Sequence, residues 1–143
     1  MKEISAGGIV YRHNHGVPEL LVIEDRFRHL TFAKGRIEAG EDLPTTALRE
    51  IREETGIVGR ITAELGTVKY NYYDPARGEI AKEVTYYLIE ALGGHPTPQV
   101  EEINKVMWLP LQAVETLHKQ RGYANNNQVL ARALELLRNT ADA

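Results

Sequence analysis

Apolar residues divide this chain into short runs of strand length and longer stripes of helical period. Residues 5–12 (SAGGIVYR) and 19–25 (ELLVIED) read as strands, and the polar stretch 13–18 between them reads as a hairpin turn. Residues 31–33 predict a short strand that runs into a glycine-bearing loop over 34–40. Pro44 suits the first turn of a helix, with Asp42 as a candidate cap. That helix is expected to reach about Thr55, with Gly56 as its stop. Two longer β segments, 60–73 and 79–91, flank a turn at 74–78. A Gly- and Pro-bearing loop covers 93–98, and 105–109 reads as a last strand. Residues 111–119 and 126–138 read as helices, the second with Val129, Leu130, Ala133, Leu134 and Leu137 on one apolar stripe.

This order predicts an α/β fold, a mixed β-sheet with one central helix and a helical C-terminus. A length of 143 residues suits a single domain, 1–143, large enough to bury a core. Apolar residues at 43% and charged residues at 26% are ordinary for a soluble globular protein, so composition narrows the class no further. No apolar run approaches the roughly 18 residues of a membrane span, and residues 1–5 lack the apolar core of a signal peptide. The chain has no cysteine, which excludes disulfides and thiolate metal sites; a cytoplasmic protein is expected. A net charge of −3 with no basic stripe argues against nucleic acid as a partner. A small phosphorylated substrate fits that charge if a bound cation supplies the missing positive charge.

The candidate chemistry lies in residues 35–57, GRIEAGEDLPTTALREIREETGI. On a helix, Glu50, Glu53 and Glu54 fall at i, i+3 and i+4 and share one face. Glu50 and Glu54 are like charges at i, i+4, which costs an isolated helix a few tenths of a kcal/mol. A hard cation such as Mg²⁺ or Mn²⁺, which prefers carboxylate oxygens, would turn that cost into a gain. The plain alternative is a solvated helix face with an Arg49–Glu53 ion pair.

Residues 35–57 also resemble the Nudix box, Gly-x5-Glu-x7-Arg-Glu-U-x-Glu-Glu-x-Gly-U with U apolar. Gly35, Glu41, Arg49, Glu50, Glu53, Glu54 and Gly56 match it, and Ile51 and Ile57 fill the U positions. The resemblance implies a Nudix-type α/β/α sandwich and metal-dependent hydrolysis of a diphosphate in a nucleoside diphosphate linked to another group. It implies Mg²⁺ or Mn²⁺ as cofactor. Glu53 and Glu54 become metal ligands, Glu50 a ligand or the general base, and the Lys34 carbonyl a further ligand. Which acid serves as base varies among family members, so Glu50 and Glu53 both stand as catalytic candidates. Arg49 is expected to orient a glutamate and Glu41 to bond the loop or Arg49.

Family members often take another ligand from outside the box. Glu102 is the first candidate, with Glu101 and Glu83 as alternatives. Arg28 and Arg36 flank the expected cleft as candidate phosphate contacts, and Tyr72 or Tyr73 could stack on a nucleobase. Residues 33–41 are similar to the Lys-Gly-His-x-Glu-x-Gly-Glu phrase of diadenosine polyphosphate hydrolases, with Arg36 in place of His. A dinucleoside polyphosphate is therefore the expected substrate. A MutT-like nucleoside triphosphate pyrophosphohydrolase, an ADP-ribose pyrophosphatase and a non-catalytic nucleotide sensor are the alternatives. A homodimer is compatible with the family. The five histidines show no ligand spacing, and Trp108 is expected in the core.

Overall fold

The computed structural model describes residues 1–141. Its strands are β1 (Lys2–Asn14), β2 (Val17–Asp25), β3 (Leu30–Thr31), β4 (Lys34–Arg36), β5 (Val58–Asp74), β6 (Gly78–Gly93) and β7 (Ile103–Pro110). Its helices are α1 (Leu43–Thr55), α2 (Leu111–Arg121) and α3 (Asn127–Ala141), with a short 3-10 turn over Ala124–Asn126. In the sheet, β3, β2, β1, β6 and β5 lie side by side, while β4 also pairs with β1 and β7 with β2. β1 and β6 run parallel, and the other strand pairings are antiparallel.

The continuous apolar runs follow from burial on both faces, because successive side chains of a strand point to opposite sides. Ile9, Leu20, Val22, Tyr86 and Leu88 enter one core with Val114 of α2 and Val129, Leu130 and Leu134 of α3. Their neighbours Val10, Leu21, Ile23, Tyr87 and Ile89 enter a second core with Ala47 and Ile51 of α1. Helices thus cover both sides of the mixed sheet, which is the expected α/β/α sandwich. Trp108 is half-buried against the α1 side, with the Arg12 guanidinium over its ring.

One sequence expectation needs correction. Residues 31–33 do not form a strand ahead of a loop. Instead Leu30–Thr31 pairs with β2, and Lys34–Arg36, expected in the loop, pairs with β1 at Ser5–Gly7. The free edge of β1 makes this strand: β2 occupies β1 only from Val10 onward, so Ser5–Gly7 still offers backbone groups that need partners. Phe32 and Ala33 cross between the two pairings, and the Ala33 carbonyl accepts from Gly8 N–H. This crossing sets Lys34 beside the C-terminal turn of α1.

Candidate active site

Helix α1 is fixed at both ends by its own sequence. Asp42 Oδ1 accepts from Thr45 N–H at 2.9 Å, and Pro44 stands in the first turn, where its missing N–H costs nothing. Gly56 closes the helix at φ 80°, donating its N–H to the Arg52 carbonyl. A side chain there would be strained and would also meet the His95 carbonyl at 2.8 Å. Ile51, fully buried, anchors the inner face. The spacing then leaves Arg49, Glu50, Glu53 and Glu54 along the side that meets β4.

Arg49 is the hub of this side. Its Nε and Nη2 clasp both oxygens of Glu41, at 2.6 and 3.0 Å. Nη1 reaches Glu50 at 2.7 Å and Glu53 at 3.0 Å, and Nη2 also donates to the Arg36 carbonyl at 2.9 Å. Glu41 takes Glu38 N–H and the Thr46 hydroxyl as well. The Arg49 hydrogen bonds, with these, hold Glu41 down at about 2. One guanidinium therefore ties the loop, the helix and two of the three acids together.

Glu54 is set apart from that hub. Its Oε2 accepts Lys34 N–H at 2.9 Å. Burial, and then the charge of Glu50, push its carboxyl up to about 8. The Lys34 ammonium is itself pushed down, first by burial and then by Lys82. Gly35, between them, has an ordinary φ, so its role is space rather than an unusual backbone. A Cβ there would lie 2.0 Å from the Glu50 carboxyl carbon. Gly40, in contrast, takes φ 84°.

A cavity of about 390 Å³ opens beside Glu54 and Lys34. Phe32, Tyr70, Tyr86 and Tyr123 supply aromatic walls, and Glu102 and Asn126 add polar groups. Its size lies in the range of small-molecule sites. Asp25 fixes the rim by accepting the Tyr123 hydroxyl together with the N–H groups of Phe27 and His29.

The structure thus brings Lys34, Glu54 and Glu102 to one cavity, and joins Glu50 and Glu53 to Arg49 alongside it. The other candidates lie elsewhere. The Arg36 side chain reaches Glu3, not the cavity. Arg28 lies outside the cavity lining, and its carbonyl accepts from Arg121. Tyr72 bonds Glu3 and Arg77, and Tyr73 is 72% exposed. Glu83 pairs with Lys2 and Lys69, and Glu101 is exposed outside the cavity. Sequence reasoning missed Tyr123 and Asn125, which lie between the two expected helices, and Asn126, which begins the second of them.

The donors suit a hard cation: all are oxygens, and Glu54 is buried beside the charge of Glu50. Among the described residues, however, no three acid or histidine side chains converge closely enough to hold an ion as they stand. Arg49 Nη1 takes one oxygen each of Glu50 and Glu53, which leaves the second oxygen of each carboxylate for an ion.

The layered fold, the acid face of α1 and the adjoining cavity define a Nudix-type protein. The NUDIX domain family matches residues 1–133, and the chain belongs to that family. A Mycobacterium tuberculosis relative bearing the mutator-protein name MutT4 is 35% identical over 142 residues, 94% of this chain and 56% of that protein. The 8-oxo-(d)GTP phosphatase of Mycolicibacterium smegmatis is 30% identical over 131 residues, 92% of this chain and 38% of that protein. The chain therefore spans about half, or less, of the length of these relatives. A solved structure of a C. elegans Ap4A hydrolase in a binary complex superposes with TM-score 0.74 at 23% identity, covering 96% of this chain and 98% of that one. That likeness is one of fold. Members of the family generally use a divalent metal. No helix among the described residues is long and apolar enough to cross a membrane.

Proposed function

We propose that this protein is a metal-dependent pyrophosphohydrolase that cleaves a diphosphate linkage in a nucleoside diphosphate joined to another group. We take a dinucleoside polyphosphate as its substrate. The observation that carries the reading is the shared wall: Glu54 and Lys34 line the same cavity as four aromatic rings. A nucleobase can stack in such a cavity while its phosphates meet the acid face.

In this reading Glu53 and Glu54, with the Lys34 carbonyl and Glu102, hold Mg²⁺ or Mn²⁺, and Glu50 is a ligand or the base. The bound ion would neutralise charge on the phosphate oxygens and make the attacking water more acidic. The Lys34 N–H aims Glu54, and Arg49 aims Glu50 and Glu53. Glu50 is the carboxylate we assign to take the proton of the attacking water, with Glu53 the alternative base. The cavity walls limit the water around the phosphates. Arg28, Arg36, Tyr72 and Tyr73 contact this part of the substrate only if it extends beyond the cavity. A nucleoside triphosphate is the second reading, and the relatives named MutT4 and 8-oxo-(d)GTP phosphatase favour it. A cytoplasmic location and a homodimeric state belong to the same proposal, and light scattering tests the dimer.

The test is to incubate the protein with Mg²⁺ and diadenosine tetraphosphate, 8-oxo-dGTP or ADP-ribose, and to separate the products by chromatography. Turnover of the first supports the proposal, and turnover of 8-oxo-dGTP alone moves it to the second reading. Nucleotide binding without turnover of any of the three overturns the enzyme assignment in favour of a sensor.

A further inference from the structure

Glu3, near the start of β1, is buried on the face of the sheet that floors the cavity, and three cations converge on it. Arg36 Nε lies 2.6 Å from its carboxylate, Lys82 Nζ 3.0 Å and Arg77 Nη1 3.3 Å. The Tyr72 hydroxyl donates to the same carboxylate at 2.9 Å. Asp74 partners Arg77 at 3.2 Å, so two acids face three cations and one positive charge is left over.

The surplus adjoins the cavity. Lys82 stands opposite Glu3 on β1 and opposite Tyr70 on β5. Tyr70, and Val84 two residues along β6, both line the cavity. The Lys34 side chain begins directly over Gly7, where a Cβ would meet Lys34 Cβ at 2.6 Å. Lys34 lines the cavity, and its ammonium makes no ion pair among the described residues. Ser5, between Gly7 and Glu3 on the same face, is fully buried, and its hydroxyl lacks a partner among the described residues. Arg36, at the outer end, keeps 61% of its side chain exposed to solvent beside its ion pair with Glu3.

We propose that Lys34, Lys82, Arg77 and Arg36 form an anion track leading out of the cavity, which takes the distal phosphates and so selects substrates with long polyphosphate chains. This rests on the pyrophosphohydrolase reading. Glu3 is the positioning residue: it aims the cations without touching substrate. Ammonium and guanidinium groups bind phosphate oxygens through charge-assisted hydrogen bonds, so each added phosphate gains contacts along the track. A short substrate would leave its outer end unused.

The experiment compares kcat/KM for diadenosine di-, tri- and tetraphosphate with Mg²⁺, in the wild type and in Lys82→Gln and Arg77→Gln. Melting curves check that each variant folds. Loss of one charged contact should lower kcat/KM for the tetraphosphate about tenfold more than for the diphosphate, mainly through KM. An unchanged length preference in the folded variants overturns the proposal. Inorganic tripolyphosphate binding, measured by calorimetry without metal, is read in parallel. The track predicts binding to the wild type, weakened about tenfold in either variant. Equal binding to all three proteins overturns the track. If the wild type hydrolyses none of the dinucleotides, the dinucleoside polyphosphate reading fails and the calorimetry alone decides the track.

Discussion

Replacing Gly35 with Ala is expected to separate activity from stability. The added Cβ would lie 2.0 Å from the Glu50 carboxyl carbon and 2.3 Å from both its oxygens. Ordinary contact is about 3.5 Å, so the carboxylate must move by roughly 1.5 Å. Glu50 is unbranched and flexible, so it swings away while α1 stays anchored by the fully buried Ile51. The swing breaks its 2.7 Å contact with Arg49 Nη1, a charge-assisted bond worth about 1.5–3 kcal/mol. The φ of Gly35 is not positive, so alanine returns about 0.4–1 kcal/mol by restricting the unfolded chain. The net loss is about 1–2 kcal/mol, a few degrees in Tm for a chain of this size. A displacement of that size at a reacting group lowers kcat about a hundredfold. The assay pairs kcat with a melting curve. A variant that keeps near-wild-type kcat, or one that unfolds outright, would refute the reasoning.

Other expectations follow from the same geometry. Glu54 is raised to about 8 against an ordinary 4.5, so the folded state favours its protonated form. That contribution is complete below about pH 4.5 and is lost as pH rises through about 8, so the metal-free Tm should fall across this window and level off above it. Glu54→Gln should remove that fall, and Mg²⁺ added near pH 7 should release protons, read by calorimetry in two buffers. Arg49→Lys keeps the charge but loses the two-pronged clasp on Glu41, so kcat should drop at least about tenfold with a lower Tm. Glu102→Gln should weaken Mg²⁺ binding by at least about tenfold, a loss typical even of supporting groups, while Glu83→Gln, whose partners are Lys2 and Lys69, should not. Equal affinities in these two variants would remove Glu102 from the ligand set.

Much of the architecture was legible because it depends on local pattern. The runs at Ile9–Val10, Leu20–Ile23 and Tyr86–Ile89 announce strands buried on both faces, and Asp42, Pro44 and Gly56 mark both ends of α1. The spacing of Glu50, Glu53 and Glu54 announced a shared face for the same reason. What was not legible depends on pairing between distant segments. Lys34–Arg36 has no strand pattern of its own and becomes a strand only because β1 has an open edge there. Tyr72 looks like a stacking residue until the fold delivers Glu3, 69 positions away, to its hydroxyl. Glu3 lies ahead of the first strand expected from the sequence, yet burial turns it into the centre of a cationic cluster. Asn125 fell just ahead of the expected helix and Asn126 at its start, and they reach the cavity only because α2 and α3 meet over the sheet.

The most direct test is turnover of the best substrate across a Mg²⁺ titration, in the wild type and in Glu54→Gln. The substitution keeps the shape of a group whose Oε2 already accepts Lys34 N–H, while removing its ability to ionise and one of its two ligand oxygens. The account predicts no turnover without metal, saturable activation in the wild type, and loss of at least about a hundredfold in the variant at every Mg²⁺ concentration. Wild-type activity without metal, or full activity in Glu54→Gln, would contradict it.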